Sequence, residues 1–229
     1  KSLNNERSFM GAKRSLTIYL VLFSLLVCSG VSAIGISTLL EGNEKFVNGT
    51  FTEEKEQFEQ LLSGQNPHTL IISCSDSRSA PEMIFSSGPG ELFVHRNIGN
   101  IVAPDDWSLA TVLEYGIKHL GIDTIVVMGH EKCGAMKALG TGGGDGDSFV
   151  PGWLANSAPA LSSLLSRSEK PDSGEDLDSW LRELEKENIR LQLEHLKTNP
   201  DVSLGLHNGN LQIIGLYWNM TSGKVEQIG

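Results

Sequence analysis

The 229-residue chain has few cysteines and too few basic side chains to balance its acidic ones. Three cysteines are too few for a disulfide-dense secreted scaffold. Lys and Arg number 18 against 28 Asp and Glu, so the formal net charge is −10. An acidic chain without a basic stripe is a poor ligand for a phosphate backbone, so we expect no nucleic acid partner. Apolar residues make up 39% of the chain, which is typical of a globular protein.

Long hydrophobic runs are also scarce, and the clearest one lies near the N-terminus. Residues 16–27 are apolar, follow two basic residues and precede small residues that end at Ala33. This layout predicts a secretory signal peptide cleaved after Ala33, preceded by a short N-terminal extension. A membrane span needs about 20 apolar residues, and this run is shorter. An uncleaved signal anchor is therefore less favoured than a signal peptide and is the second interpretation. We therefore expect residues 1–33 to be removed, and residues 34–229 to form one secreted domain without a stable membrane span.

The hydrophobic pattern of the remaining chain predicts helices that alternate with strands. Helices are predicted over residues 36–48, 52–63, 105–120, 134–139, 153–166 and 177–196, the charges of the last one being interpreted as a solvated face. Strands are predicted over residues 69–73, 91–95, 124–128 and 211–218, with an antiparallel edge strand over 224–228. Residues 140–152 are predicted to be a flexible glycine-rich loop, and they lack the Gly-Lys-Ser/Thr of a phosphate-binding loop. The pattern predicts an α/β fold: a mostly parallel β-sheet flanked by helices, with an antiparallel edge strand and an N-terminal helical arm.

Two polar segments follow two of the predicted strands, CSDSR over residues 74–78 and HEKCG over residues 130–134. The carboxyl ends of parallel strands meet at one edge of a sheet, which is where such folds place their sites. Cys74, Cys133 and His130 together are a ligand set that suits zinc, and three protein ligands leave a fourth position open, as in catalytic sites. A disulfide, or cysteines that are merely small buried residues, are the alternatives. Neither explains Asp76 and Arg78 beside one cysteine.

The joint pattern resembles the β-class carbonic anhydrases. The resemblance rests on CSDSR (74–78), FVHRNIGN (93–100), EYGIKHL (114–120) and GHEKCG (129–134), and it extends from about residue 39 to the C-terminus. It implies one Zn²⁺ per subunit, reversible hydration of CO2 to bicarbonate and a proton through zinc-bound hydroxide, and a homodimer or tetramer. The alternatives are a zinc hydrolase of the same fold acting on another small linear substrate such as carbon disulfide, and a non-catalytic zinc- or anion-binding protein.

The same resemblance implies roles for the residues of the two polar segments. Cys74, His130 and Cys133 match the zinc ligands of the family. Asp76 and Arg78 match an ion pair that keeps the carboxylate off the metal and lets it accept a hydrogen bond from zinc-bound hydroxide. The resemblance does not decide whether that carboxylate can also bind the metal as a fourth ligand and so block the site. A purely structural ion pair, or an aspartate that caps the next helix, is the alternative.

Five further residues match the substrate-binding positions of the family. Gln65 matches a glutamine whose amide reaches the substrate, often from the partner subunit; a polar loop residue is the alternative. Phe93, Ile98 and Tyr115 match the apolar wall around CO2, although such residues are more often simply core. Gly134 offers a backbone N–H at a helix start, where a bicarbonate oxygen could bind.

Three positions add to the family pattern. His95 stands before the Arg-Asn pair, where many members have an apolar residue, and it is predicted to be either a proton relay or, in preference, a hydrogen-bonded histidine. Asn48-Gly49-Thr50 and Asn219-Met220-Thr221 are N-glycosylation sequons, which fit a secreted eukaryotic protein.

Overall fold

The computed structural model describes residues 35–144 and 146–229. The predicted signal peptide and Cys28 lie outside these residues, as does the predicted boundary at Ala33, which therefore stays a prediction. Contacts divide the chain into two units, residues 1–57 and residues 58–229. Among the described helices, none combines the length and the apolar character that a membrane crossing requires.

The described part of the first unit is helical. α1 (Ile36–Asn48) has the predicted bounds and ends at Gly49. The predicted helix over 52–63 is instead two shorter helices, α2 (Thr50–Glu53) and α3 (Lys55–Leu61), the second of which continues past residue 57. α1 contains no buried residue and exposes several large apolar side chains.

The second unit contains a five-stranded sheet in the order β2-β1-β3-β4-β5. The strands are β1 (Thr69–Cys74), β2 (Leu92–Asn97), β3 (Thr124–His130), β4 (Gln212–Asn219) and β5 (Lys224–Gln227). The first four run parallel, and β5 pairs antiparallel with β4. β1 and β3 are central and almost wholly buried, which explains why they are continuous apolar runs. The predicted mostly parallel sheet with an antiparallel edge is confirmed.

Helices connect the strands and supply most of the remaining core. They are α4 (Pro81–Ile84), α5 (Trp107–Tyr115) with a π-helical turn (Gly116–Leu120), α6 (Gly134–Thr141), α7 (Val150–Leu154), α8 (Ala158–Leu165), α9 (Gly174–Leu196) and α10 (Pro200–Asn208). α5 begins where the Asp106 carboxylate accepts the backbone N–H groups of Ser108 and Leu109. The predicted helices over 105–120, 134–139 and 177–196 are thus present with shifted ends.

Prolines account for the largest error in the predicted helices. The helix predicted over 153–166 is divided into α7, a 3₁₀ turn (Ala155–Ser157) and α8, and a proline stands in the first turn of both α7 and α8. Proline lacks an N–H and is tolerated at a helix start, so Pro151 and Pro159 each begin a new helix. The predicted loop over 140–152 is also too long, because α6 extends to Thr141 and α7 starts at Val150.

Two core clusters flank the strands that carry the polar segments. One joins β1 and β3 to α5 and α9 through residues such as Leu70, Ile125 and Leu113. The other contains Cys74 and Cys133 and joins them to the helices α6, α8 and α9. α9 also packs on β4, where Gly215 leaves no room for a larger residue, since an added Cβ would lie 2.7 Å from Ile189 Cγ2. The carboxyl ends of β1 and β3 are therefore surrounded by packed helices.

Candidate metal centre

Two cysteines and a histidine meet at the carboxyl ends of β1 and β3. Cys74 is the last residue of β1, His130 is the last residue of β3, and Cys133 precedes the first residue of α6. The register of the two parallel strands brings their ends together, since Ser73 pairs with Met128. One sulfur or nitrogen donor atom of each residue lies within 4.8 Å of the other two, and all three residues are buried. The cysteines are free, so the alternative disulfide is not formed.

The donor atoms of this cluster are suited to a zinc ion. His130 Nδ1 lies 2.9 Å from the backbone oxygen of Glu131, which assigns the proton to Nδ1 and leaves a lone pair on Nε2. That Nε2 is buried and has no hydrogen-bond partner in the described parts of the chain. The neighbouring Cys133 thiol lowers the pKa of Cys74 below its usual value, which favours a thiolate at one of the two sulfurs. A buried imidazole lone pair facing two cysteine sulfurs therefore fits Zn²⁺, with a fourth position left for a non-protein ligand.

Asp76 and Arg78 form a two-point ion pair beside the cluster. Asp76 Oδ1 accepts the Arg78 Nε–H at 2.9 Å, and Asp76 Oδ2 accepts an Nη2–H at 2.7 Å. These bonds hold the pKa of the Asp76 carboxyl far below its usual range. Asp76 Oδ2 lies 3.9 Å from His130 Nε2. The pair thus keeps an ionised carboxylate close to the donor atoms, in the geometry of the strongest arginine–carboxylate contacts.

The helix-capping alternative for Asp76 is wrong. Asp76 Oδ1 accepts the backbone N–H of Arg78, which closes a local turn, and the next helix begins only at Pro81. Arg78 also donates from Nη2 to the backbone oxygen of Lys132 at 3.2 Å, so it connects the two polar segments. Arg96 supports the first segment by donating to the backbone oxygens of Cys74 and Asp76, at 3.0 and 2.7 Å. The turn around Asp76 is therefore fixed by its own sequence and by the neighbouring strand.

Glu185 is a residue at this site that the sequence analysis missed. Its Oε1 accepts the backbone N–H of Cys133 at 2.8 Å, and its Oε2 accepts the Tyr217 hydroxyl at 2.7 Å. Burial raises the pKa of Glu185 to about 7. The interpretation of the α9 charges as a solvated face is wrong at this position. The helical spacing indicates that Glu185 is buried, because it places Glu185 on the same face of α9 as Leu181, Leu184 and Gln192, which are all buried.

The predicted apolar wall is divided within this chain between two places. The rings of Phe93 and Tyr115 are neighbours, with centroids 6.2 Å apart, and the Tyr115 ring also contacts the His119 ring in a tilted arrangement, with centroids 5.2 Å apart. Ile98 instead lines a separate apolar cavity with Phe149 and Trp153, next to Ser75 of the first polar segment. Two of the three predicted wall residues are thus together, and the third lies beside the CSDSR segment.

The remaining predicted site residues differ in how close they come to the cluster. Gly134 is the first residue of α6, directly after Cys133, and a Cβ at this position would meet nothing within 4 Å. Gln65 is exposed and lines a surface cavity with residues 61–64 and Gly90, none of which belongs to the metal cluster. The Nε2 of His95 is buried without a partner in the described residues, so the expected hydrogen bond is absent at that atom, and burial lowers the pKa of His95.

Comparisons with known proteins agree with this geometry. The family model described as Carbonic anhydrase matches residues 69–225. The chain is 38% identical to a carbonic anhydrase of Synechococcus elongatus, with 83% of this chain and 70% of that protein covered. It is 34% identical to a carbonic anhydrase of Pseudomonas aeruginosa, with 83% and 86% covered.

Solved structures show the same likeness. The β-carbonic anhydrase CcaA superposes with a TM-score of 0.78 at 34% identity, over 84% of this chain and 86% of that one. A tetrameric β-carbonic anhydrase of Sordaria macrospora superposes with a TM-score of 0.77 at 26% identity, over 83% of this chain and 95% of that one. Both the sheet and the surrounding helices are therefore shared with structures of this kind.

Proposed function

The chain belongs to the β-carbonic anhydrase family, zinc enzymes that interconvert carbon dioxide and bicarbonate, and we propose how its own residues contribute to that reaction. Cys74, His130 and Cys133 would hold the metal. Zinc, when bound, supplies a Lewis acid that lets water lose a proton near neutral pH. The observation that carries the proposal is the buried His130 Nε2, which has no hydrogen-bond partner among residues 35–144 and 146–229 and faces two cysteine sulfurs beside an arginine-held carboxylate.

Asp76 is proposed to orient the attacking hydroxyl group. The carboxylate stays ionised because of Arg78, so it can only accept hydrogen bonds. Asp76 Oδ1 already accepts two hydrogen bonds from Arg78, whereas Oδ2 accepts one and keeps a lone pair. A hydroxyl that donates to Oδ2 is held with its own lone pair turned toward the CO2 carbon. Because Arg78 holds both oxygens, the carboxylate is also restrained from entering the metal site.

The apolar cavity beside the CSDSR segment is proposed to receive CO2. Its wall is formed by Ile98, Phe149, Val150 and Trp153, and Ser75 borders it. CO2 is linear and uncharged, so it gains little from polar groups and is favoured by an apolar, water-poor surface. The backbone N–H of Gly134 at the start of α6, directly after Cys133, is suited to an oxygen of bicarbonate.

A second copy of the chain is proposed to complete the site. Phe149 at the CO2 cavity is 86% exposed, and α1 exposes Ile36, Leu39 and Leu40. Exposed apolar surface of this kind is typical of an interaction face. We propose a homodimer or tetramer in which Gln65 of one copy serves the site of its partner. A light-scattering mass equal to one chain at micromolar concentration would contradict this assembly.

The function is tested by measuring CO2 hydration on purified protein together with its metal content. We expect one zinc per subunit, stopped-flow hydration well above the uncatalysed rate, loss of activity on chelation and recovery when zinc is returned. Carbon disulfide hydrolysis measured in parallel should stay at background. A zinc-loaded protein without CO2 hydration at any pH from about 7 to 9 would contradict the assignment.

We also propose that the enzyme is secreted after cleavage at Ala33. The layout of residues 10–33 supports this proposal, and so do the two sequons. Asn48 is exposed at the end of α1, whereas Asn219 is half-buried and its Oδ1 accepts the N–H and hydroxyl of Ser222. When the chain is expressed in a eukaryotic secretory host, we expect the protein in the culture medium to begin at Ile34. We also expect it to carry a glycan that is absent from the variant Asn48→Gln. A full-length chain retained with membranes would support the signal-anchor interpretation instead.

A further inference from the structure

A single peptide group lies between a tryptophan and a metal-ligating cysteine. The backbone N–H of Gly99 points at Cys74 Sγ, with nitrogen and sulfur 3.4 Å apart. The carbonyl oxygen of the same peptide group belongs to Ile98, and it accepts the Trp153 Nε1–H at 2.7 Å. A peptide group is planar and trans, so its C=O and N–H point in opposite directions. Fixing the oxygen on Trp153 therefore fixes the direction of the N–H toward the sulfur.

The surroundings of this peptide group keep it in place. Gly99 has φ +81°, and a Cβ at this position would lie 3.1 Å from Ala135 Cβ, so the turn requires glycine and packs closely on α6. The carbonyl oxygen of Gly99 accepts the buried Asn188 side-chain amide at 3.0 Å. Trp153 itself is anchored, since it packs against the core cluster that contains Cys74 and Cys133. The indole is thus a fixed donor acting on a constrained turn.

We propose that Trp153 is a positioning residue of the metal centre, which aligns the Gly99 N–H as a hydrogen-bond donor to the Cys74 thiolate. This inference rests on the proposed zinc site. An N–H···S bond stabilises the thiolate over the thiol and withdraws charge from the sulfur. The bond from the indole polarises the intervening peptide group, which strengthens its N–H as a donor. Trp153 therefore tunes a ligand of the metal through this peptide group, which is a role separate from its place in the wall of the apolar cavity.

The test compares Trp153→Phe with a matched removal of another indole N–H. Trp180 belongs to the same core cluster, and its Nε1 is buried without a hydrogen-bond partner in the described residues. Trp180→Phe therefore makes the same chemical change without breaking a hydrogen bond. Wild-type protein and both variants are loaded with Co²⁺ for absorption spectra, and zinc affinity is measured by competition with a chelator.

We expect the sulfur-to-cobalt charge-transfer band of Trp153→Phe to move to longer wavelength, because its thiolate is more electron-rich. Zinc affinity should fall by up to about 10-fold, the lower end of the range for losing an outer partner of a ligand, because the Gly99 N–H bond is weakened and not removed. Trp180→Phe should keep the wild-type band position. Equal spectra and affinities for wild type and Trp153→Phe, or equal shifts in both variants, would overturn the role of Trp153 and leave the proposed metal centre standing. Wild-type protein without a sulfur-to-cobalt band would overturn the metal centre as well.

Discussion

Replacement of Cys133 by alanine is expected to abolish zinc binding and, with it, CO2 hydration. The variant removes one of three protein ligands and leaves His130 Nε2 and Cys74 buried without the ion that satisfies them. Thiolate ligation supplies much of the zinc affinity, and the fold brings these three ligands together at the ends of β1 and β3. We expect metal analysis to find close to no zinc after dialysis against a chelator, and stopped-flow rates to fall to background.

The control for this variant is a buried residue beside a ligand that is not itself a ligand. Ser73 precedes Cys74 in β1, and its buried hydroxyl has no hydrogen-bond partner in the described residues. Ser73→Ala should therefore retain one zinc per subunit and wild-type hydration. Added zinc should raise the melting temperature of wild-type apoprotein and of Ser73→Ala but not that of Cys133→Ala, because only a folded-state site couples binding to stability. Full zinc occupancy in Cys133→Ala would contradict the ligand assignment.

The sequence predicted those site residues whose position is determined by the end of a β-strand. Buried parallel strands are recognisable as continuous apolar runs, and the residues that follow them must emerge at one edge of the sheet. The sequence thus predicts that Cys74, His130 and Cys133 lie together, and the structure places their donor atoms within 4.8 Å of one another. This prediction requires only that β1 and β3 be neighbours, which their pairing in register satisfies.

Two kinds of feature were not predicted from the sequence. Some residues contact partners that are distant in the chain, and one helix begins at a local signal that the hydrophobic pattern does not show. Glu185 and Trp153 act through the backbone of residues 52 and 55 positions away, and no local pattern specifies such partners. α10 was missed although Asn199 followed by Pro200 is a strong start signal, and the Asn199 side chain does accept the N–H groups of Asp201 and Val202. Partners so distant in sequence are specified only by the tertiary fold, whereas the start of α10 is specified locally by Asn199 and Pro200.

Replacement of Asp76 by alanine is expected to leave zinc in place and to remove most of the activity. Asp76 is not among the three grouped donor residues, so metal content should stay at one per subunit. Losing the acceptor that orients the attacking hydroxyl should lower kcat/KM by about 10²–10³-fold, the range found for removing one positioned group from an active site. Asp76→Asn should also be impaired, because an amide carries no charge to hold Arg78 and has only one acceptor oxygen.

Arg78 distinguishes this orienting role from a purely structural ion pair. If Arg78 acts by holding the carboxylate, Arg78→Ala should lose activity, and the double variant Asp76→Ala/Arg78→Ala should be no slower than Asp76→Ala alone. Independent losses that multiply in the double variant would mean that Arg78 has a separate role. Asp123→Asn, at an exposed aspartate that pairs with His68, controls for the loss of a surface carboxylate and should leave hydration unchanged. Wild-type rates in zinc-loaded Asp76→Ala would show that the hydroxyl is oriented without this residue.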